Sequence, residues 1–151
     1  MTIRPQFSSL NRQEIDALLA RHHVGRLAYS LRDRVDIEPL HYVYHDGWLF
    51  ARTQPGTKLA TIGHNPWVAM EVDEIDAMFQ WESAVVRGRL ELLDDGPHAA
   101  ARARYATALE ALRQLIPDAL TEHDPTPERT ILCAIYVDDV EGRRARPGTG
   151  A

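Results

Sequence analysis

The chain has 151 residues and a formal net charge of −5, with 44% hydrophobic and 26% charged residues. This length and composition predict one globular domain that needs no disulfide or metal to form its core. The acidic balance disfavours nucleic acid as the main partner, because nucleic-acid-binding surfaces are basic. The single cysteine, Cys133, excludes an intramolecular disulfide and a multi-cysteine zinc site, and we expect no metal site. No apolar run reaches the roughly 20 residues of a membrane span, and the first ten residues lack the apolar segment of a secretory signal, so we expect a cytoplasmic protein without membrane contact.

Two long helices and one short helix are predicted from spacing and capping residues. The first long helix follows Asn11, which stands three residues before Glu14 in the spacing of a capping box. One helix face then carries Ile15, Leu18, Leu19 and His22. The short helix covers Thr57–Ile62, and the second long helix starts near Pro97 and carries an apolar stripe up to residue 116.

Six strands are predicted between these helices, and most neighbouring strands are joined by hairpins. They are Val24–Leu31, Val35–Tyr44, Trp48–Thr53, Trp67–Asp73, Gln80–Leu93 and Thr130–Val140. Long helices do not alternate with the strands, so a small antiparallel barrel with helices outside is favoured over a doubly wound parallel sheet. The end of the chain is rich in Arg, Pro and Gly, which predicts a domain over residues 1–142 and a short flexible tail over residues 143–151.

The fifth predicted strand has two different faces. Every second residue from Ala84 to Leu92 is small or apolar, and the alternate residues from Trp81 to Arg89 include Ser83 and two arginines. This split predicts one face in a core and one face outside it. The outer face is either a ligand or partner surface or an ordinary solvated face.

The segment from Arg52 to Lys58 has the composition of a phosphate site. It leads from a strand through a Pro-Gly turn into the start of a helix, where unpaired N–H groups and the helix dipole favour an anion. Arg52 and Lys58 supply cations, and Thr53 and Thr57 supply hydroxyls. Lys58 is the only lysine in the chain. The alternative is a surface loop that holds two cations without a ligand.

Four segments resemble, in this order, the FMN-binding split-barrel family: VGRLAYS, PLHYVYHDGWLFART, PGTKLATIGHNPWVAMEVDE and WESAVVRGRLELLDD. The branch they look most like contains small pyridoxamine 5'-phosphate oxidase-like and nitroimidazole-resistance-like flavoproteins. The resemblance covers about residues 10–142. It implies a mainly β fold with flanking helices, a six-stranded antiparallel Greek-key split β-barrel. It also implies a homodimer with FMN sites at the subunit interface.

The resemblance carries flavin contacts to particular positions of this sequence. It assigns the FMN phosphate to Arg52, Thr53, Thr57 and Lys58. It assigns the isoalloxazine ring to the backbone of Pro39, Leu40, His41 and Tyr42. It assigns polar contacts with the flavin to Trp81 and Ser83.

The implied activity is that of an FMN-dependent oxidoreductase, which transfers two electrons from a reduced nicotinamide, NAD(P)H, to a small planar substrate. No catalytic acid or base is assigned, and His41, His64 and Tyr42 are the candidates. A flavin-binding carrier or sensor, a deazaflavin-dependent reductase and a haem-binding protein are the alternatives on the same fold. Cys133 alternates with apolar neighbours, which predicts a buried structural thiol.

Overall fold

The computed structural model describes residues 4–148, which form eight strands and three helices. The strands are β1 (Gln6–Ser9), β2 (Val24–Leu31), β3 (Arg34–His45), β4 (Trp48–Thr53), β5 (Trp67–Ala77), β6 (Gln80–Leu93), β7 (Ile131–Tyr136) and β8 (Asp139–Arg146). The helices are α1 (Arg12–Arg21), α2 (Thr57–His64) and α3 (Ala99–Leu115). Within residues 4–148, no helix has both the length and the apolar character that a membrane span requires.

Six strands close into a ring in the order β2, β3, β4, β7, β6 and β5, and every pairing is antiparallel. The ring closes because β6 pairs with β5 as far as Arg89 and with β7 from Leu90 onward. β8 pairs with the first half of β6, and β1 pairs with β8, so these two strands extend the sheet beyond the ring. This arrangement confirms the predicted mainly antiparallel fold and its six-stranded split barrel.

Alternate residues of the ring strands fill the barrel interior. Leu27, Met70 and Val86 lie opposite one another on β2, β5 and β6 and are at most 1% exposed. The predicted alternation of β6 is confirmed as far as Leu90, whereas Leu92 is 52% exposed. Leu92 pairs with Cys133 of β7, at the end of β6 that extends beyond β5.

Two of the helices complete the core. α1 starts at the predicted capping box, in which the Asn11 side chain accepts from the Glu14 N–H at 2.8 Å and the Glu14 carboxylate accepts from the Asn11 N–H at 3.0 Å. Leu18 and Leu19 of α1 are fully buried against the barrel core. α3 packs on β4 and β7, so most residues of these two strands are buried on both faces.

The prediction for the end of the chain is wrong at two points. The predicted last strand, Thr130–Val140, is divided into β7 and β8, and the predicted tail is part of β8 as far as Arg146. Arg144 lies in this strand, which pairs with β6 and β1, and its guanidinium pairs with Glu82 of β6 at 2.7 Å and with Glu14 of α1 at 2.5 Å. β1 was not predicted, since its four residues are all exposed and carry no pattern of burial. Residues 149–151 of the predicted tail lie outside the described residues.

Candidate functional site

A cavity of about 240 Å³ opens where β3, β4 and the start of α2 meet. We call it the β3–β4–α2 cavity. Its lining residues are Glu38, Pro39, Leu40, His41, Arg52, Thr53, Gln54, Lys58 and Arg129. Six of the sequence-predicted site residues are therefore brought together, although they come from three different elements.

The start of α2 lies beside this cavity for a local reason. Pro55 and Gly56 end β4, and the first helical hydrogen bond runs from the Ala60 N–H to the Gly56 carbonyl at 3.2 Å. No side chain caps this end of the helix. The first N–H groups of α2 therefore lack intrahelical partners and are available as donors. Lys58 stands in this first turn.

Lys58 is oriented by a carboxylate on the neighbouring strand. Its ammonium contacts Glu38 of β3, and the side chain is 17% exposed. Glu38 also accepts a hydrogen bond from the Tyr29 hydroxyl at 3.2 Å. The positive charge of Lys58 is therefore balanced within the protein before any ligand binds.

Arg52 occupies a different position from the one predicted for a phosphate ligand. Its guanidinium is buried and donates to both carboxylate oxygens of Asp124, at 2.5 and 3.1 Å. It also donates to the Thr126 hydroxyl at 2.7 Å and to the Arg129 carbonyl at 3.3 Å. The Arg52 guanidinium holds the pKa of Asp124 well below its usual range. Arg52 borders the cavity, but its terminal nitrogens hold the loop of residues 116–130.

Arg129 is the third cation of the cavity, and it was not predicted. Its guanidinium lies 3.3 Å from Nδ1 of His41, which accepts because a guanidinium can only donate. Among residues 4–148, no carboxylate lies within 4.0 Å of it. Arg129 follows a polar, proline-rich loop 77 positions after Arg52, so only the folded chain reveals that the two residues meet.

Tyr42 and Thr57 lie outside the cavity lining. The Tyr42 hydroxyl donates to the Leu19 carbonyl at 2.7 Å in the barrel core, and burial raises its pKa. The Tyr42 N–H donates to the His23 carbonyl at 2.9 Å, so neither group is free for a ligand. Thr57 is exposed at the first position of α2.

Trp81 and Ser83 are also separate from the cavity within this chain. They lie on β6, which is separated from His41 of β3 by β2 and β5. Three strand spacings place them about 14 Å away along the sheet. Trp81 borders a second cavity of about 460 Å³, which lies at the start of β6. The centre of its ring lies 6.3 Å from that of Phe7. Trp81 and Ser83 are both partly exposed on β6, whereas Ala84 and Val86 of the alternate row are buried, as predicted for the outer face.

A larger groove of about 690 Å³ crosses the outer face of β2, β5 and β6. Trp67 and Tyr136 border it and are 61% and 53% exposed. Val35 also borders it and is 71% exposed. This face of the sheet therefore presents large apolar side chains to its surroundings.

The remaining side chains with metal-binding or nucleophilic chemistry are cysteine, histidine and the carboxylates. Cys133 is 2% exposed in β7, and burial raises the pKa of its thiol to about 12, which confirms a structural thiol. In the described part of the chain, no group of three or more His, Cys, Asp or Glu side chains is arranged to hold a metal ion.

Solved structures with this fold include flavin-binding proteins. A FAD-binding protein of Mesorhizobium loti is 29% identical, with a TM-score of 0.74 over 93% of this chain and 99% of that chain. The FAD-binding protein of Mycobacterium smegmatis is 25% identical, with a TM-score of 0.68 over 92% and 100% of the two chains. A FAD- and haem-binding protein of the same organism shares the fold at 18% identity and a TM-score of 0.69, over 95% of this chain and 76% of that chain.

Sequence comparison leads to the same group of proteins. An uncharacterized protein of Rhizobium meliloti is 31% identical over 84 residues, and the match covers 56% of this chain and 56% of that protein. This chain thus spans about half the length of that curated relative. The sequence model of pyridoxamine 5'-phosphate oxidase matches residues 11–144, which include the whole barrel ring and the β3–β4–α2 cavity. The chain therefore belongs to the pyridoxamine 5'-phosphate oxidase family.

Proposed function

We propose that this protein is a flavin-dependent oxidoreductase that binds FMN with its phosphate in the β3–β4–α2 cavity. One observation carries this proposal. The cavity combines the Lys58 ammonium, the Thr53 hydroxyl and the uncapped start of α2 at the edge of β3. These are the donor types that bind a phosphate group. Membership of the family and the FAD-binding proteins among the structural neighbours support a flavin as the ligand.

The size of the cavity fits the phosphate end of the cofactor. Sites that enclose a drug-sized ligand usually measure about 300–1,000 Å³. The β3–β4–α2 cavity has about 240 Å³, which is room for the phosphate arm and leaves the flavin ring outside. Pro39 and His41 belong to the outward-facing row of β3, so the ring would lie against this strand on the outer face of the sheet.

A homodimer would enclose the ring from the other side, and we include it in the proposal. The outer face of the sheet exposes Val35, Ile37, Trp67 and Ile75, each more than 60% accessible. Apolar surface of this kind is typical of a protein–protein interface. A second copy packed on this face would supply residues of β6, such as Trp81 and Ser83, to the ring of the first copy.

The bound flavin would supply the two-electron transfer from NAD(P)H to a small planar substrate. The protein residues would bind and orient it. Lys58 and Thr53 would hold the phosphate, and the backbone of Pro39, Leu40 and His41 would position the ring. His41 is the titratable side chain of the cavity lining on the same face as the ring, which makes it the candidate for proton delivery.

The proposal is tested by the visible absorption spectrum of the purified protein, before and after addition of FMN and desalting. We expect flavin absorption bands retained at about one flavin per chain, and NAD(P)H should bleach them under anaerobic conditions. Loss of all flavin on desalting, together with no change in flavin fluorescence on titration, would refute it. Retained flavin that NAD(P)H does not reduce would favour a carrier or sensor.

FAD is the second candidate cofactor, because two of the structural neighbours with 25% identity or more are FAD-binding proteins. FMN and FAD share the flavin ring and the first phosphate, so both would use the same cavity. Chromatography of the cofactor released by heat distinguishes them. The affinity of the apoprotein for each, measured by fluorescence titration, shows which one it prefers.

A further inference from the structure

We propose that Arg129 is the residue that recognises the anionic group in the β3–β4–α2 cavity, and that Arg52 is a positioning residue that holds Arg129 there. This inference rests on the proposed function, because it names how the same cavity binds the cofactor phosphate. The sequence motif assigns this role to Arg52 instead. We assign anion binding to Arg129 and not to Arg52 because the two arginines differ in their ion pairs within the protein.

The three cations of the cavity differ in the charge they leave for a ligand. Arg52 is paired with Asp124, and the two side chains are 4% and 2% exposed. Lys58 is paired with Glu38. Arg129 has no carboxylate within 4.0 Å among residues 4–148. After the internal pairs are subtracted, the positive charge that remains at the cavity belongs to Arg129.

The backbone of Arg129 is fixed by the residues around Arg52. The Arg129 carbonyl accepts from the Arg52 guanidinium at 3.3 Å, and its N–H donates to the Thr126 carbonyl at 3.0 Å. Thr126 is held in turn, since its hydroxyl accepts from Arg52 and its N–H donates to Asp124 at 3.0 Å. Both ends of the Arg129 peptide unit therefore depend on the buried Arg52–Asp124 pair.

This support is needed because Arg129 lies at the end of an irregular segment. Residues 116–130 contain neither a helix nor a strand. Asp124 organises the segment by accepting from the Leu120 N–H at 2.7 Å and the Thr126 N–H at 3.0 Å. A guanidinium that is held in advance binds an anion with a smaller loss of side-chain and backbone entropy. Arg52 thus contributes to binding through Arg129.

The experiment compares the dissociation constants of FMN and riboflavin, which differ only in the phosphate. The ratio of the two constants isolates the phosphate contact from the ring contacts. We expect Arg129→Gln to weaken FMN binding at least ten-fold and to change riboflavin binding less than two-fold. Arg129→Lys should restore part of the FMN affinity, because it keeps the charge but loses the fork of donors.

Arg113→Gln is the matched control for loop order. Arg113 donates to the Ala119 carbonyl at 3.0 Å in the same segment, but it does not line the cavity. We expect this variant to keep the ratio of the wild type. If the ratio of the FMN constant to the riboflavin constant rises equally in Arg113→Gln and Arg129→Gln, the inference is overturned, since loop order alone would then explain the effect.

The role of Arg52 is tested by a double-mutant cycle. If Arg52 acts through Arg129, Arg52→Met combined with Arg129→Gln should lose no more FMN affinity than Arg129→Gln alone. Additive losses would show direct contact of Arg52 with the phosphate and would overturn the positioning role. An unchanged FMN-to-riboflavin ratio in Arg129→Gln overturns the inference even if Arg52→Met fails to fold. A wild-type protein that binds neither ligand refutes the proposed function itself, and with it the inference.

Discussion

Arg52→Met tests most directly whether Arg52 stabilises the fold through its buried ion pair with Asp124. Methionine keeps an unbranched side chain in the same space but removes the guanidinium. The variant leaves the Asp124 carboxylate, whose side chain is 2% exposed, without its cation. Removing one partner of a buried ion pair costs about 3–5 kcal/mol. We expect the free energy of unfolding to fall by about this amount.

The effect should depend on pH in a defined direction. The Arg52 guanidinium lowers the pKa of Asp124 in the folded protein, so the pair stabilises the fold at pH values above the unfolded pKa of about 3.9. This contribution is lost as the pH falls through the folded pKa, because the carboxyl group is then protonated in both states. The difference between Arg52→Met and the wild type should therefore decrease below about pH 4.

Urea denaturation followed by circular dichroism measures the effect. With an m-value of about 2 kcal/mol/M, the midpoint should shift downward by about 2 M. Arg34→Met is the matched control, since Arg34 pairs with Asp36 at 3.3 Å but its side chain is 82% exposed. Its cost should stay below about 1 kcal/mol. Equal and small effects of the two substitutions would refute the structural role of Arg52.

Three further predictions concern single residues. Glu38→Gln removes the carboxylate that balances the charge of Lys58, so FMN should bind about five-fold more tightly, whereas the affinity for riboflavin should not change. Fluorescence titrations measure both affinities, and an equal change for the two ligands would contradict this electrostatic explanation. Burial and the Asp73 carboxyl raise the pKa of Glu71 to about 7, so the folded state retains a proton that the unfolded state has lost. Stability should therefore fall as the pH rises from about 4.5 to 7, and urea midpoints of Glu71→Gln should show a smaller decrease. Gly142→Ala places a Cβ within 3.0 Å of core side chains and should lower the free energy of unfolding, measured by thermal denaturation, by about 1–3 kcal/mol. Gly63→Ala in α2 is the control, because its Cβ meets open space and should not destabilise the protein. Equal effects of the two substitutions would contradict this prediction.

The strands of the barrel could be predicted because apolar and polar residues alternate along them over a few positions. β2, β4 and β6 have the predicted bounds, and the capping box at Asn11 starts α1 as expected. In each case the signal lies within a few residues of the element that it specifies. The closure of six strands into a split barrel was implied by the resemblance to a family, and the strand pairing confirms it.

The end of the chain was misread because its signals are long-range. Arg143, Arg144 and Arg146 look like a solvated tail, and only the fold shows that Glu82 and Glu14 neutralise Arg144. Gly142 was predicted as the last residue of the domain, directly before the flexible tail. It is required in β8 because a Cβ at this position would lie 2.8 Å from Ile15.

The sequence indicated which residues lie near the cavity, but it did not indicate what each of them contacts. Arg52, Thr53 and Lys58 border one cavity together with Pro39 and His41, and the resemblance assigns all five to one cofactor. The motif could not show that Arg52 would find Asp124, which lies 72 positions later. It could not show Arg129 either, because that arginine is isolated in a segment without regular structure.

A count of cations in a motif therefore overestimates the charge that a site offers. The β3–β4–α2 cavity has three cationic side chains, and Asp124 and Glu38 neutralise two of them. The remaining charge is positioned by a loop that contains none of the motif. Substitutions in residues 116–130 should therefore change the preference for FMN over riboflavin, although the motif residues are untouched. In a comparison of such proteins, the acidic partner of each motif cation has to be located before the cation is assigned to the ligand.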